Sequence, residues 1–448
     1  MTHDVERSSL RTAPPAALVL LLVFGSLALP EAVQAQEGTS QYLQLQDVYR
    51  TVLRDNPQLL ASRAQVRAAL ARAASAGTPP DPEVQIGAMN YSAATWGPMA
   101  PLGMFQLQVM QMLPLAGKLR LQKDGARQKA AAIELRADEL AWKLRAEAAE
   151  VYLDLHSLEE RLRILRESVR LLEDIAAAAA AMYEVGEGRQ ADVLRAQVEL
   201  SRLQEDTLAM RAMRQAAVAR LNALLNRPPR SPLAPTAPVE LPTELPSLEQ
   251  LLERTSLERP AIRASQREVQ AAAANLALAR RSLWPDLQVG VQYGQRSMDG
   301  RPERMLSLMV GASLPLHAGR RQLREREEAA AMVAMARAEV DALRAETLAE
   351  VAEAYAHIEH NRHLWVLYSS TILPQADANL ASALASYRVG LVDFMTVLDA
   401  SQALLRFREE VVAVRTEEAK YWARMEALLG APLLAQRNGA ADYKGGLP

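Results

Sequence analysis

No cysteine occurs among the 448 residues, which excludes disulfides, thiolate zinc sites, thiol catalysis and the lipid-bearing cysteine of acylated envelope proteins. An excess of either charge is also lacking. Lys and Arg number 51 against 53 Asp and Glu, a net charge of -2, so there is no basic field to draw in nucleic acid or coat an anionic membrane surface. No apolar run reaches the ~20 residues of a membrane-spanning helix; the run over 16–29 stops at about 14. A phosphate-binding loop and a serine set in a strained turn are missing as well, so no enzymatic constellation is present. No cofactor is expected.

The short run reads as a secretory signal over 1–35. Arg7 and Arg11 precede it, and Val33, Gln34 and Ala35 offer a small-residue cleavage site before Gln36. A signal anchor is the alternative, although no second apolar segment follows. The mature chain is expected to be exported from a Gram-negative cytoplasm. One hydrophobic core stops growing at about 250–300 residues, so a chain of this length implies a repeated or elongated design.

A repeat is present. Residues 45–57 match 248–260 without a gap, Pro57 falling on Pro260; Leu113, Pro114 and Leu115 match Leu314, Pro315 and Leu316. Tyr183, Val185 and Gly186 match Tyr387, Val389 and Gly390, and seven residues beyond each glycine stand Val193-Leu194 and Val397-Leu398. The order and near-constant separation indicate a duplicated half. The first repeat spans 36–225 and the second 247–431. Between them lies a linker, 226–246, with seven prolines, a composition that extends the backbone and forbids helix. The polar tail over 432–448 is expected to be loosely held.

Most of each half has helical period. From 118 to 182 there is no proline, and apolar residues from Leu144 to Leu172 step alternately by four and three, a coiled-coil seam. The second half predicts a similar rod over 319–386, with a seam of Leu348, Tyr355, Ile358, Trp365 and Ile372 and a kink at Pro374. Return helices are expected over 192–225 and 394–429. Four stretches alternate with period two instead: about 83–92, 104–113, 286–295 and 305–314, each with one apolar and one polar or small face. Soluble hairpins packed on helices are one reading. Membrane-crossing strands are the other, favoured by export and length. Four strands cannot close, and an open edge cannot sit in lipid, so three chains would have to complete a barrel of twelve strands. A homotrimer is inferred from closure.

The duplicated order of helix, strand, strand, long helix and return helix, the Leu-Pro-Leu joints and the Tyr-x-Val-Gly tips followed by Val-Leu-x-Ala resemble the TolC family of outer-membrane channels. The resemblance covers essentially the whole mature chain. It implies a mainly α fold with a transmembrane β-barrel, in which long coiled-coil hairpins form an α-barrel. It further implies an outer-membrane exit channel reaching into the periplasm, working with a periplasmic adaptor (a membrane fusion protein) and an inner-membrane pump of the RND type. By motif, Asp192 and Asp399 fall on acidic gate positions; Thr396 stands where some members carry a further aspartate. Arg189 and Arg388 are candidate gate partners, since carboxylates gathered around one axis repel, favour cations and are held by arginine. The bland alternative is that Asp192 and Asp399 sit near helix starts, which favour carboxylates. Adaptor contacts are implied at Tyr183, Val185, Gly186, Tyr387, Val389, Gly390 and Leu391.

His357, His360 and His363 recur at steps of three, which drift around a helix, so a solvated face is expected over a metal site. Eight of the 16 methionines lie in the strand regions, and thioethers bind soft cuprous or silver ions. Met89, Met110 and Met309 fall on the face assigned to the lumen, while gap filling is the ordinary role of methionine. With the likeness of 80–82 and 110–118 to the heavy-metal branch of the family, they make metal ions the leading expectation for cargo. Drug or protein export competes with it, and a periplasmic coiled-coil scaffold is the rival from another class.

Overall fold

The structure, a computed structural model, describes residues 42–99, 103–298 and 301–434. The expected signal over 1–35 and the tail from 435 onward lie outside the described residues.

Two short helices open the first repeat, α1 (Leu45–Asp55) and α2 (Pro57–Ser75). They part at Asn56, because a residue before proline is pushed out of the helical region. Asn56 then caps α2 by accepting from Gln58 N at 2.9 Å, and its amide donates to the Leu224 carbonyl at 3.0 Å. Next come β1 (Glu83–Met89), β2 (Met104–Leu113), the 67-residue helix α3 (Lys118–Glu184) and the return helix α4 (Gln190–Leu224). At ~1.5 Å per residue α3 is about 100 Å long. β1 stops three residues short of the expected 92, because Asn90 takes a left-handed conformation (φ 53).

The second repeat runs α5 (Leu248–Glu258), α6 (Pro260–Arg281), β3 (Asp286–Met298), β4 (Arg301–Ser313), α7 (Gln322–Leu367), α8 (Leu373–Arg388) and α9 (Phe394–Leu429). Two differences from expectation stand out. The rod over 319–386 is two helices joined by a π-helical turn, Tyr368–Ile372; Pro374 has no N–H to donate, and the ladder changes register just ahead of it. It also starts late, since His317 O accepts from both Arg320 N and Arg321 N at 3.0 Å and the chain turns there. β3 and β4 are longer than expected, 13 residues each, because Arg296 and Glu303 face each other across the pair and bond at 2.5 Å.

The seam of α3 is buried at Leu144, Ala148, Val151, Leu155, Leu165 and Leu172. That of α7 keeps the expected Ile358 and is otherwise displaced from the expected residues. Over the stretch of the expected seam, Thr347, Val351, Ala354, Ile358 and Asn361 are the buried positions, stepping by four and three, while Leu348 and Tyr355 lie beside this line and Trp365 and Ile372 beyond its end. Two seam positions are polar yet satisfied: Thr347 Oγ1 donates to Leu343 O at 2.6 Å and accepts from Arg259 at 2.7 Å, and Asn361 donates to His357 O at 2.8 Å.

Long-range polar contacts moor the pieces. The proline-rich linker has few donors of its own, so α3 supplies partners: the Tyr152 hydroxyl lies 2.7 Å from the carbonyls of Leu43 and Ala237, and Glu159 accepts from Thr236 N at 2.8 Å and Arg214 at 2.6 Å. Arg259, the counterpart of Asn56, is buried against Glu139 (3.2 Å) and Glu350 (3.1 Å). Glu426, fully buried in α9, accepts from Leu433 N and Leu434 N at 2.6 Å each and from Arg145 at 3.4 Å. Glu426→Ala, which strips the buried Arg145 of its partner, is expected to cost about 3–5 kcal/mol, read as a lowered Tm of the detergent-solubilised protein. Replacing both charges together, with Arg145→Met and Glu426→Leu, should recover much of that loss.

Candidate functional site

The four strands form one antiparallel sheet in the order β1-β2-β3-β4, so β2 and β3 join the two repeats. Directly opposed residues project to the same side, and the register therefore sorts the side chains into faces. One face carries the rows Val84, Val109, Val291, Leu308 and Ile86, Leu107, Tyr293, Leu306. The other carries Gln85, Gln108, Gln292, Ser307 and Glu83, Met110, Gly290, Met309. The apolar face is uncovered: Val84 is 62% exposed, Ile86 70%, Leu306 75% and Leu308 73%. Gln106 and Gln108, on the opposite face, are half-buried, and Gln292 donates to Gln106 at 2.6 Å. Hairpins packed on helices would bury those aliphatic side chains. This sheet shows them to its surroundings, the arrangement of a lipid-facing strand. Neither β1 nor β4 has a strand on its outer edge among the described residues.

Below the sheet, Lys118 Nζ bonds Asp286 Oδ1 and the Trp284 carbonyl, both at 2.7 Å, and Leu115 N reaches the same carboxylate at 3.2 Å. Asp286 thus fastens the first Leu-Pro-Leu joint to the foot of β3. Nothing in the local pattern marks this pair, which lies 168 residues apart.

At the far ends of the hairpins both Tyr-x-Val-Gly sequences make the same turn. Glu187 N donates to Met182 O and Gly186 N to Tyr183 O, both at 3.0 Å; Leu391 N donates to Ser386 O at 2.9 Å and Gly390 N to Tyr387 O at 3.0 Å. These paired bonds form the Schellman C-cap, which places the residue after the cap in the left-handed region, and Gly186 and Gly390 have φ 81 and 71. Tyr183, Val185, Val389 and Leu391 are exposed. Tyr387 differs from its counterpart Tyr183: it is buried edge-on to Phe394 at 5.9 Å, within an apolar cluster that includes Leu172, Ala196, Leu380 and Leu398 and so binds the two hairpins together.

Several of the expected gate residues meet here and others do not. Asp192, in the first turn of α4, lies close enough to Tyr387 to act on it: burial, then the Asp192 charge, pushes the phenol above its ordinary pKa. Thr396 is held by Asp393, which accepts from Thr396 N at 3.0 Å and from its hydroxyl at 2.7 Å and so caps α9. Those bonds, with a smaller contribution from the Arg189 charge, hold the Asp393 carboxyl below its usual range. Arg189 thus faces Asp393, a residue the sequence reading passed over although an Asp three positions before a Thr at a helix start is an N-cap signal. Asp399 and Arg388 are exposed, and neither makes an ion pair among the described residues. His357 stacks on Tyr421 at 4.3 Å, while His360 and His363 are exposed; no cluster of three His, Asp or Glu suited to a metal occurs among the described residues. Met89, Met110 and Met309 lie on the glutamine-bearing face of the sheet.

The family model for outer membrane efflux proteins matches residues 48–227 and 251–431, one match to each repeat. The chain belongs to that family. It is an outer-membrane protein of TolC-like fold. A curated relative, the pyoverdine export outer membrane protein OpmQ of Pseudomonas putida, is 27% identical over 305 residues, or 63% of this chain; the match spans 62% of that relative's length. Among solved structures, the outer-membrane channel OprN superposes with a TM-score of 0.74 at 22% identity, covering 87% of this chain and 90% of its own. CusC gives 0.74 at 20% (87% and 92%), and VceC of Vibrio cholerae 0.73 at 18% (87% and 96%). At such identities the likeness is one of fold.

The cap at Asp393 gives this family member a pH-sensitive helix start. Because its pKa is lowered by folding, its contribution is present above the ordinary carboxylate pKa of about 4 and is lost as pH falls through the lowered value. The protection of the first-turn amides of α9, measured against their intrinsic exchange rate at each pH, should fall on acidification through that range. Asp393→Asn, which keeps an acceptor but no titrating charge, should flatten the dependence.

Proposed function

We propose that the chain is one of three identical protomers of an exit duct in the outer membrane, continuing into the periplasm and serving a tripartite efflux system. The observation that carries the reading is the uncovered apolar face on a sheet with two open edges. Backbone groups at an edge in hydrocarbon cost several kcal/mol each when unpaired, and joining β4 of one copy to β1 of the next removes every edge at twelve strands. Outer-membrane lipid then covers the apolar face and the glutamine-bearing face lines the lumen.

The hairpin tips take the adaptor and gate roles. Tyr183, Val185, Gly186, Val389, Gly390 and Leu391 present apolar and backbone groups to a periplasmic adaptor, with Tyr387 supporting them from beneath; an inner-membrane pump of the RND type supplies the energy. Asp192, Asp399 and Thr396, with Arg189 and Arg388, set the charge of the aperture. Metal ions are the cargo this reading prefers, supported by methionines on the lumen face; export of a chelated or drug-like small molecule, of the kind the pyoverdine exporter's name describes, is the competing cargo.

The channel is tested in planar bilayers. Outer-membrane extracts should yield heat-modifiable trimers that conduct with cation preference, and Asp192→Ala with Asp399→Ala should weaken that preference and change the conductance. A soluble periplasmic monomer would sink the channel reading in favour of a scaffold, while unchanged conductance and preference in the double variant would remove the gate assignment alone. For cargo, deleting the gene should raise copper sensitivity; cells whose sensitivity does not change would be exporting something else.

A further inference from the structure

The lumen-side face holds a pattern of methionine and glycine that the channel reading does not require. Gly290 and Gly294, on β3, are both buried, and the atoms nearest the place of each missing Cβ belong to the neighbouring strand β2. A Cβ at Gly290 would sit 3.0 Å from Met110 Cγ, and one at Gly294 would sit 2.7 Å from Met104 Sδ. Two β2 methionines therefore lie across the two glycines. From the opposite flank, β4 sets Met309 directly beside Gly290 and Met305 directly beside Gly294. All four methionines are half-buried. Strands lie about 4.8 Å apart, so each pair of methionine backbones is separated by roughly 10 Å across a strand that offers no side chain between them. The β2 thioether already lies over that floor, and the β4 methionine stands on the same face within reach of it.

The neighbouring oxygen donors are largely engaged. Glu303 is paired with Arg296 at 2.5 Å, and the Gln106 carbonyl takes the Gln292 amide at 2.6 Å. Glu83, exposed at the end of the Gly290 row, adds a negative charge nearby. What each notch offers is two neutral, polarisable sulfurs. Thioethers select soft ions, cuprous and silver, over the hard divalent cations that need carboxylates, and a monovalent ion is the one whose charge two neutral ligands tolerate most cheaply.

We infer that the inner face of the sheet carries two binding sites for a soft monovalent cation, Met110 with Met309 over Gly290 and Met104 with Met305 over Gly294. The sites rest on the channel reading only for the name lumen; the strand register sets each pair on one face across a glycine whatever the sheet encloses. Within a duct they would stand as two successive stations for a soft ion, about 13 Å apart along the strand.

The probe is silver(I), titrated into the purified full-length protein in detergent, with the bound metal counted and its ligands identified by X-ray absorption. Wild type should hold one silver per methionine pair with sulfur ligands. Met110→Leu with Met309→Leu should lose one, Met104→Leu with Met305→Leu the other, and the fourfold variant both. A control carrying Met213→Leu, Met332→Leu and Met335→Leu, all exposed on helices, should keep the full count. Silver retained by the fourfold variant, or a wild type that binds no more than that variant, would overturn the sites and leave the methionines as packing over the glycines. Bilayer conductance separates this from the parent reading: a fourfold variant that still conducts but has lost its silver upholds both, whereas a wild type that binds silver and never conducts upholds the sites and removes the channel.

Discussion

Hydrocarbon tolerates apolar side chains and does not tolerate unpaired backbone groups, and the molecule is arranged around that asymmetry. The sheet exposes valine, isoleucine and leucine on one face and sets glutamine, serine and methionine on the other, with no layer packed over the apolar face as a water-soluble sheet would need. Because two of its strands come from each repeat, the duplicated halves must stand side by side at the sheet. The Lys118–Asp286 bond at the joint is the polar contact through which that requirement passes from the strands to the helices. From there the pairing continues downward: α3 of the first repeat packs along α6, α4 and α9, and α7 along α6 and α9.

Helices this long present narrow seams, rich in alanine, with little area per turn to bury. The molecule compensates with buried polar anchors at the places where segments end. Asn56 and Arg259 sit at helix boundaries and Glu426 in the last turn of α9, and each binds a group from a distant segment. Such anchors add modest net stability, since desolvation offsets much of each ion pair. Their effect is on register: a heptad seam allows a slide by one repeat, and a buried arginine with fixed carboxylate partners does not.

The fold class was legible because two periods, 3.5 and 2, are written in side chains that serve those elements alone. The α3 seam from Leu144 to Leu172 could be read directly. That of α7 could not, because Thr347 and Asn361 occupy seam positions and the eye follows the apolar Leu348 and Tyr355 one residue along. Pro374 announced a disturbance but not its form, a π turn upstream. The ends of β3 and β4 were hidden for a related reason: Arg296 and Glu303 continue the ladder as an ion pair where alternation of apolar residues has stopped. The polar moorings, from Lys118 to Asp286 and from Glu159 to Thr236, join residues far apart in the chain, and no local pattern encodes a partner at that distance. At the tips the turn glycines were legible from conformation, whereas Asp393 was missed because a gate was sought among acidic residues past the helix start and the cap itself was overlooked.

The tips also show what duplication left free to change. Counting from Gly186 and Gly390, Arg189 corresponds to Asp393, Asp192 to Thr396 and Arg195 to Asp399. The paired Schellman bonds of the turn are the same in both repeats, because backbone geometry dictates them. The charges three, six and nine residues on are not the same, and at the first and third of these positions they have opposite sign. Identical charges at equivalent positions would repel wherever repeats alternate around an axis. Opposite charges attract between unlike repeats, as Arg189 does toward Asp393, and leave like repeats separated. A ring built from two diverged hairpins therefore distinguishes its two kinds of contact, which one built from identical hairpins could not do.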